Sequence, residues 1–160
     1  MSALQLRSAK QEDILTIITI LADDTYGQSR EEVYSDEPGQ EKQLNPVYQK
    51  AFEAIQADPN QDLCVLVDEQ DHIWGTLQLT YIQYLNRKGS KRALIESVHV
   101  RADQRGKGLG NKMMQLAIER AKDNGATIIQ LTSDKRRTDA HRFYKRLGFQ
   151  DSHEGFKLIL

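Results

Sequence analysis

Residues 105–111 read Arg105-Gly106-Lys107-Gly108-Leu109-Gly110-Asn111, with three glycines at alternate positions. They lie between an apolar stretch with strand character (94–100) and one with helical periodicity (109–124). Glycines at a strand-to-helix turn leave backbone N–H groups uncovered, and a helix N-terminus adds a partial positive charge to those donors. The chemistry this predicts is the binding of a phosphate or pyrophosphate. Spacing separates the loop from two other phosphate cradles. A Gly-x4-Gly-Lys-Ser/Thr loop would end in a Lys-Ser/Thr pair, which this segment lacks. A dinucleotide fingerprint puts its third glycine three residues after the second, whereas Gly110 follows Gly108 by two. The competing reading is a tight turn whose glycines only relieve steric crowding.

The strand leading into this loop carries two groups suited to proton transfer, Glu96 and His99. Period-two alternation puts Leu94, Glu96, Val98 and Val100 on one face and Ile95, Ser97 and His99 on the other. A carboxylate inside an apolar strand calls for a partner or a function, because burying it unpaired is unfavourable. Glu96 is therefore either a base or half of a structural salt bridge. His99 competes for the base role, since imidazole titrates near neutrality. His141 is expected to face solvent or pack on its helix, and His72 and His153 carry no particular signal. The single cysteine, Cys64, sits in the apolar run 63–67 and reads as core rather than nucleophile. No His/Cys/Asp/Glu cluster has metal-ligand spacing.

The elements that must position these groups follow from periodicity and caps. A first strand is expected over 3–7, then a helix over 9–22 capped by Ser8 with Gln11 three residues on, burying Ile14, Ile17, Ile18 and Leu21. Residues 23–44 read as a long polar loop around Gly27 and Pro38-Gly39. Asn45-Pro46 is a cap followed by proline at the first helical position, opening a helix to about 57 with Val47, Ala51, Phe52 and Ile55 inward. Strands follow at 63–67 and 73–85, then a basic hairpin loop at 86–90 and a central strand at 92–100. After the glycine loop come the helix at 109–124, a strand at 127–132, a helix at 138–147 and a last strand or strand pair over 149–160. This order predicts one domain over 1–160, of the mixed α/β (α+β) class. Its sheet would be twisted and mostly antiparallel, with six or seven strands, a parallel pair around the loop and about four helices on both faces.

The pattern Arg105-x-x-Gly108-x-Gly110, after an apolar strand and opening a helix, resembles motif A of the GNAT superfamily of acetyl-CoA-dependent N-acetyltransferases. Residues 139–149, with Phe143-Tyr144 and Gly148-Phe149, resemble its motif B. The clear resemblance covers 94–149. The run 135–144, with Ser152-His153 and Phe156-Lys157, is also similar to the aminoalkylphosphonate acetyltransferase branch. The resemblance implies that acetyl-CoA is the co-substrate. Its pantetheine arm would lie on the backbone of Val98, His99 and Val100, and its pyrophosphate on that of Arg105, Gly106, Lys107, Gly108, Leu109, Gly110 and Asn111. Arg101, Arg105, Lys107, Lys112, Lys135, Arg136 and Arg137 are cations placed to meet CoA phosphates, each with a solvated face as the alternative. Tyr144 is implied as proton donor to the CoA sulfur, and Glu96 as the base. Where many relatives carry an asparagine that contacts pantetheine, this chain has Arg137, which suits a phosphate instead.

The family builds its acceptor pocket from the early helices and the loop between them. Here that stretch holds Asp23, Asp24, Glu31, Glu32, Asp36, Glu37 and Glu41 against Arg30. Acid over the thioester would favour a cationic amine and weakly oppose an acceptor with a phosphonate, the alternative being a solvated mobile loop with no part in recognition. Tyr26, Tyr34, Tyr81 and Tyr84 are candidate lining residues. The acceptor expected is a primary amine on a small molecule or peptide. The alternative is a silent acyl-CoA-binding module acting as sensor or partner.

A net charge of -1 argues against nucleic-acid binding through the basic run 135–137. No apolar run reaches the ~20 residues of a membrane span, and no signal-peptide core is seen. With one cysteine, a reducing cytoplasm is the expected setting. Sheet edges left unpaired are compatible with a homodimer.

Overall fold

The computed structural model describes residues 3–23, 30–34 and 43–160. The chain falls into two compact units, Met1–Gln130 and Leu131–Leu160. One sheet runs in the order β1 (Gln5–Ser8), β2 (Gln61–Val67), β3 (Ile73–Gln83), β4 (Lys91–Val100) and β5 (Ile128–Leu131). The first four strands pair antiparallel. β5 starts beside the start of β4, where the Thr127 N–H donates to the Lys91 carbonyl at 2.9 Å. β3, rather than β4, holds the middle of the sheet.

The mixed, largely antiparallel fold is as predicted, but the described residues form five strands instead of six or seven. The expected last strand over 149–160 is not formed. Phe156, Leu158, Ile159 and Leu160 are each at least 86% exposed. Apolar residues with strand character become a strand only when a neighbouring edge takes their backbone hydrogen bonds, and among the described residues no ladder partner meets this segment.

Two helices of the first unit, α1 (Ile14–Ala22) and α2 (Pro46–Ala57), cover one face of the sheet. There Ile14, Ile17, Ile18 and Phe52 pack with Val65, Val67 and Ile73. α2 starts as its sequence predicts, with Asn45 Oδ1 accepting the Val47 N–H at 3.2 Å and Pro46 in the first turn. Of its expected inward residues only Phe52 is buried, while Val47 is exposed. The entry to α1 departs from expectation. Ser8 stays in β1, and the turn is closed by the Lys10 N–H donating to Asp13 at 2.7 Å. Ser8 Oγ is instead bonded to Asp62 and to Arg120 of the helix that follows the glycine loop, both at 2.7 Å. The basic hairpin loop closes through the single turn α3 (Asn86–Gly89), with Arg87 and Lys88 in left-handed backbone.

α4 (Leu109–Asp123) covers the opposite face, burying Met113, Met114, Ala117 and Ala121. Its approach is set by Gly75. A Cβ there would stand 2.8 Å from the His99 carbonyl oxygen and 3.0 Å from Met113 Sδ. The missing side chain lets α4, and with it the loop at its N-terminus, sit against β3 and β4. Far along α4, Arg120 Nε pairs with Asp62 of β2 at 2.6 Å. Gly75→Ala is expected to lower stability by about 1–3 kcal/mol by overpacking this contact, measured as a fall in the urea midpoint with unchanged slope. A midpoint equal to wild type would show that α4 tolerates the displacement.

Candidate active site

β4 is irregular where it matters. Thr76 of β3 faces His99 and Gln78 faces Glu96, so Ser97 and Val98 together stand against Leu77. This two-against-one bulge resets the alternation of side chains. Glu96 and His99, expected on opposite faces, lie on the same face, the one that also carries Thr76 and Gln78. Ser97 takes left-handed backbone, φ 54°, to make the step. The Glu96 side chain is exposed and has no hydrogen bond or ion pair among the described residues, which removes the structural salt bridge from its two readings. His99 is half-buried, and its Nδ1 is buried without a partner among the described residues. Beside them Gln78 Nε2 donates to Gln61 Oε1 at 2.8 Å, and Thr80 Oγ1 donates to the same oxygen at 3.0 Å.

The glycine loop leaves β4 through a 3₁₀ turn (Ala102–Gln104) and opens α4. Gly106 and Gly108 have φ of 77° and 80°, and a Cβ at either would meet nothing within 4 Å among the described residues. Glycine is needed there for the left-handed backbone and not to avoid crowding among the described residues. Lys112 makes the first helical bond, to the Gly108 carbonyl, at 3.2 Å. The N–H groups of Leu109, Gly110 and Asn111 precede it and have no acceptor within the helix. These donors, with the helix dipole behind them, suit a pyrophosphate.

The cations expected around the loop are mostly engaged. Arg101 pairs with Asp103 at 2.6 Å and stacks 4.3 Å over Trp74. That pairing holds the Asp103 carboxyl down at about 2. Lys107 Nζ donates to Gln104 at 3.0 Å. Arg105 donates through Nε to the Val100 carbonyl at 3.1 Å and through Nη2 to the Asp23 carbonyl at 2.9 Å. Its side chain therefore ties the loop to the C-terminus of α1, where a cation is favoured. The Val100 carbonyl, one of the groups expected on the pantetheine arm, is already used by this tie. Lys112 has no ion pair among the described residues.

On the acceptor side, Asp24, Tyr26, Asp36, Glu37 and Glu41 lie outside the described residues, as do Gly27, Pro38 and Gly39. Glu31 accepts the Tyr48 hydroxyl at 2.7 Å. Burial, and then Glu31 itself, push the Tyr48 hydroxyl upward. Tyr34 bridges to Leu44. The two strand tyrosines part company. Tyr81 is buried opposite Ala93 with its hydroxyl unpartnered among the described residues, near the Asp62–Arg120 pair on the α4 face. Tyr84 lies under the guanidinium of Arg92, 4.8 Å from ring centre to Cζ. Arg92 Nη1 donates to Gln130 Oε1 at 2.6 Å. Sequence reasoning passed over Arg92, although its spacing from Glu96 was a signal to be read.

The second unit carries motif B. α5 (Thr138–Arg146) has Arg137 at its N-cap, and the Arg136 N–H donates to the Asp134 carboxylate at 2.9 Å in the turn before it. His141 is half-buried and its Nε2 lies 2.9 Å from the Asp134 carbonyl, so it ties this turn to the helix. The helix ends in a Schellman arrangement. Gly148, φ 93°, donates to the Lys145 carbonyl at 3.0 Å, and Phe149 donates to the Tyr144 carbonyl at 3.1 Å. The apolar contact that goes with this cap is Phe149 against the Tyr144 ring, edge on at 6.0 Å, with Phe143 on the other side at 5.2 Å. The phenol is thus fixed by the cap. Burial pushes its hydroxyl up, partly offset by the positive charge of Arg137, so it holds its proton at neutral pH.

The family model described as Acetyltransferase (GNAT) family matches residues 20–149, and the chain belongs to that family. A solved structure, a transcriptional regulator from Bacillus halodurans C-125, is 41% identical and superposes with a TM-score of 0.86, covering 99% of this chain and 100% of its own. An aminoalkylphosphonate N-acetyltransferase from Salmonella typhimurium is 36% identical over 66 residues, which is 41% of this chain and 43% of that protein. An L-methionine sulfoximine/L-methionine sulfone acetyltransferase from Pseudomonas aeruginosa is 37% identical over 65 residues, 41% of this chain and 38% of that protein. The matches to these two curated relatives thus span less than half of their length. Among the described residues no helix is long and apolar enough to cross a membrane, and no group of three or more His/Cys/Asp/Glu is placed to hold a metal ion.

The bulge gives a direct test. Ser97→Gly is expected to be neutral or to stabilise by up to ~1 kcal/mol, and Ser97→Val to destabilise by about 1–3 kcal/mol, because a β-branched residue resists left-handed backbone. Thermal unfolding of both variants checks this; Val as well tolerated as Gly would mean that β4 does not need the left-handed step.

Proposed function

We propose that this chain transfers an acetyl group from acetyl-CoA to a primary amine of a small molecule or peptide, by direct attack in a ternary complex. What carries the reading is the loop at residues 105–111, with its left-handed glycines and unbonded N–H groups at the start of α4. The Salmonella and Pseudomonas relatives are named as acetyltransferases, which supports the same class of reaction here.

The proton balance assigns the roles. The attacking amine must be neutral, so the ammonium first gives a proton to Glu96, directly or through water. Glu96 is exposed, unpaired among the described residues and on the bulged segment. His99 shares its face and is the other candidate acceptor. As the C–N bond forms and the C–S bond breaks, the departing thiolate takes a proton from Tyr144, whose half-buried hydroxyl is kept protonated, and the proton that the acylated nitrogen sheds returns to the tyrosinate through water. Backbone groups of Val98 and His99 hold the pantetheine arm, the N–H groups from Gly106 to Asn111 hold the pyrophosphate, and Arg137 suits a phosphate. Separation of charge at the two ends of the reacting bond is thereby avoided.

The test is thiol release from acetyl-CoA against a panel of polyamines, amino acids, aminoglycosides, aminoalkylphosphonates and N-terminal peptides. Acceptor-dependent release is expected, with Tyr144→Phe and Glu96→Gln each lowering kcat by about a hundredfold. Calorimetry with acetyl-CoA runs alongside. Binding without release on any amine would point to the silent module, and absence of binding would remove the role given to the loop.

A further inference from the structure

Arg92 stands out among the charged residues of the acceptor-facing side of the sheet. On β4 it faces Ile82, Leu94 faces Thr80 and Glu96 faces Gln78, with no irregularity between them. Arg92, Leu94 and Glu96 therefore share one face, and the Cα atoms of Arg92 and Glu96 are about 13 Å apart at the rise of an extended strand. The Arg92 guanidinium is flanked by the Tyr84 ring and by Gln130, a neutral amide. It has no carboxylate partner among the described residues, and its Nε is buried without an acceptor. The other arginines whose surroundings set the fold do have one. Arg7 is paired with Asp13 and Asp71, Arg101 with Asp103, Arg105 with Asp23 and Arg120 with Asp62. A half-buried cation held in place by a ring and an amide, with donors to spare, is built to receive an oxyanion.

We infer that Arg92 is a specificity-determining residue that takes the anionic group of the acceptor, so that the acceptor is a primary amine carrying a carboxylate or similar oxyanion several bonds from its nitrogen. This rests on the acetyl-transfer reading and on Glu96 as the group facing the amine. The separation of Arg92 and Glu96 along β4 sets the length. An amine at Glu96 and an oxyanion at Arg92 are bridged by an extended acceptor together with the arginine side chain, whereas glycine is too short. Of the acids expected to repel such an acceptor, Asp23 is neutralised by its pairing with Arg105, and Glu31 is engaged by the Tyr48 hydroxyl.

The experiment compares ω-amino acids with alkylamines of equal chain length: glycine, 4-aminobutyrate and 6-aminohexanoate against butylamine and hexylamine, in wild type, Arg92→Gln and Arg92→Lys. Wild type is expected to prefer the longer amino acids over the matching alkylamines in kcat/KM. In Arg92→Gln that preference should fall by about tenfold or more, chiefly through KM, with Arg92→Lys intermediate. Binding of 6-aminohexanoate is read separately by calorimetry. If wild type binds it and Arg92→Gln does not, the assignment holds even without turnover, and only the acetyl-transfer reading falls. Equal loss on amino acids and alkylamines in Arg92→Gln, or a wild type that shows neither preference for nor binding of the anionic compounds, overturns it.

Discussion

Glu96 and His99 meet on one face of the sheet only because Ser97 and Val98 are set against a single residue, Leu77. In a regular strand two residues three apart point to opposite faces, so one of the pair would lie under α4. The bulge removes that conflict with one left-handed residue, Ser97. It also leaves the residues beyond it, His99 and Val100, in register with Thr76 and Gly75. That second pairing is what lets Gly75 lie under the His99 carbonyl and Met113. The juxtaposition of Glu96 with His99 and the seat of α4 are therefore set by the same local distortion, on opposite faces of the same two strands.

The glycine loop at residues 105–111 inherits its position from this arrangement and is then fastened at its other side. Arg105 bonds to the Val100 carbonyl and to the last carbonyl region of α1 at Asp23. Its side chain spans from the end of β4 to the C-terminus of α1, so the loop at residues 105–111 and α1 are mechanically linked through one guanidinium. In the second unit a different device does similar work. The Schellman cap at Gly148 and the ring contact between Phe149 and Tyr144 hold the phenol by backbone geometry, with no need for a side-chain hydrogen bond.

The electrostatics of the sheet face are less one-sided than its composition suggests. Of the described acids in the stretch 23–41, Asp23 is paired with Arg105 and Glu31 accepts the Tyr48 hydroxyl, while the carboxylates of Glu32 and Glu96 have no partner among the described residues. Four residues away Arg92 is a cation without a carboxylate among the described residues. A strand that presents an unpaired acid and an unneutralised base on one face, separated by a leucine, is polarised along its length, a pattern that residue counting over the loop does not reveal.

The features legible in the sequence are those whose physics is local. Gly106 and Gly108 at a strand-to-helix turn, Asn45-Pro46 at the start of α2 and Gly148 after α5 each act through the backbone of their immediate neighbours, and all three stand where the residues placed them. The rest depended on partners distant in the chain. Alternation in β4 misassigned His99 because the bulge is a property of its pairing with β3. Ser8 looked like a cap but is bonded to Asp62 and Arg120, and Tyr81 and Tyr84, close in sequence, serve opposite faces. The apolar stretch at 149–160 has the composition of a strand but is exposed and unpaired among the described residues. Local sequence sets which backbone conformations are cheap; register and long-range hydrogen bonds, which only the assembled sheet supplies, decide which side chains meet.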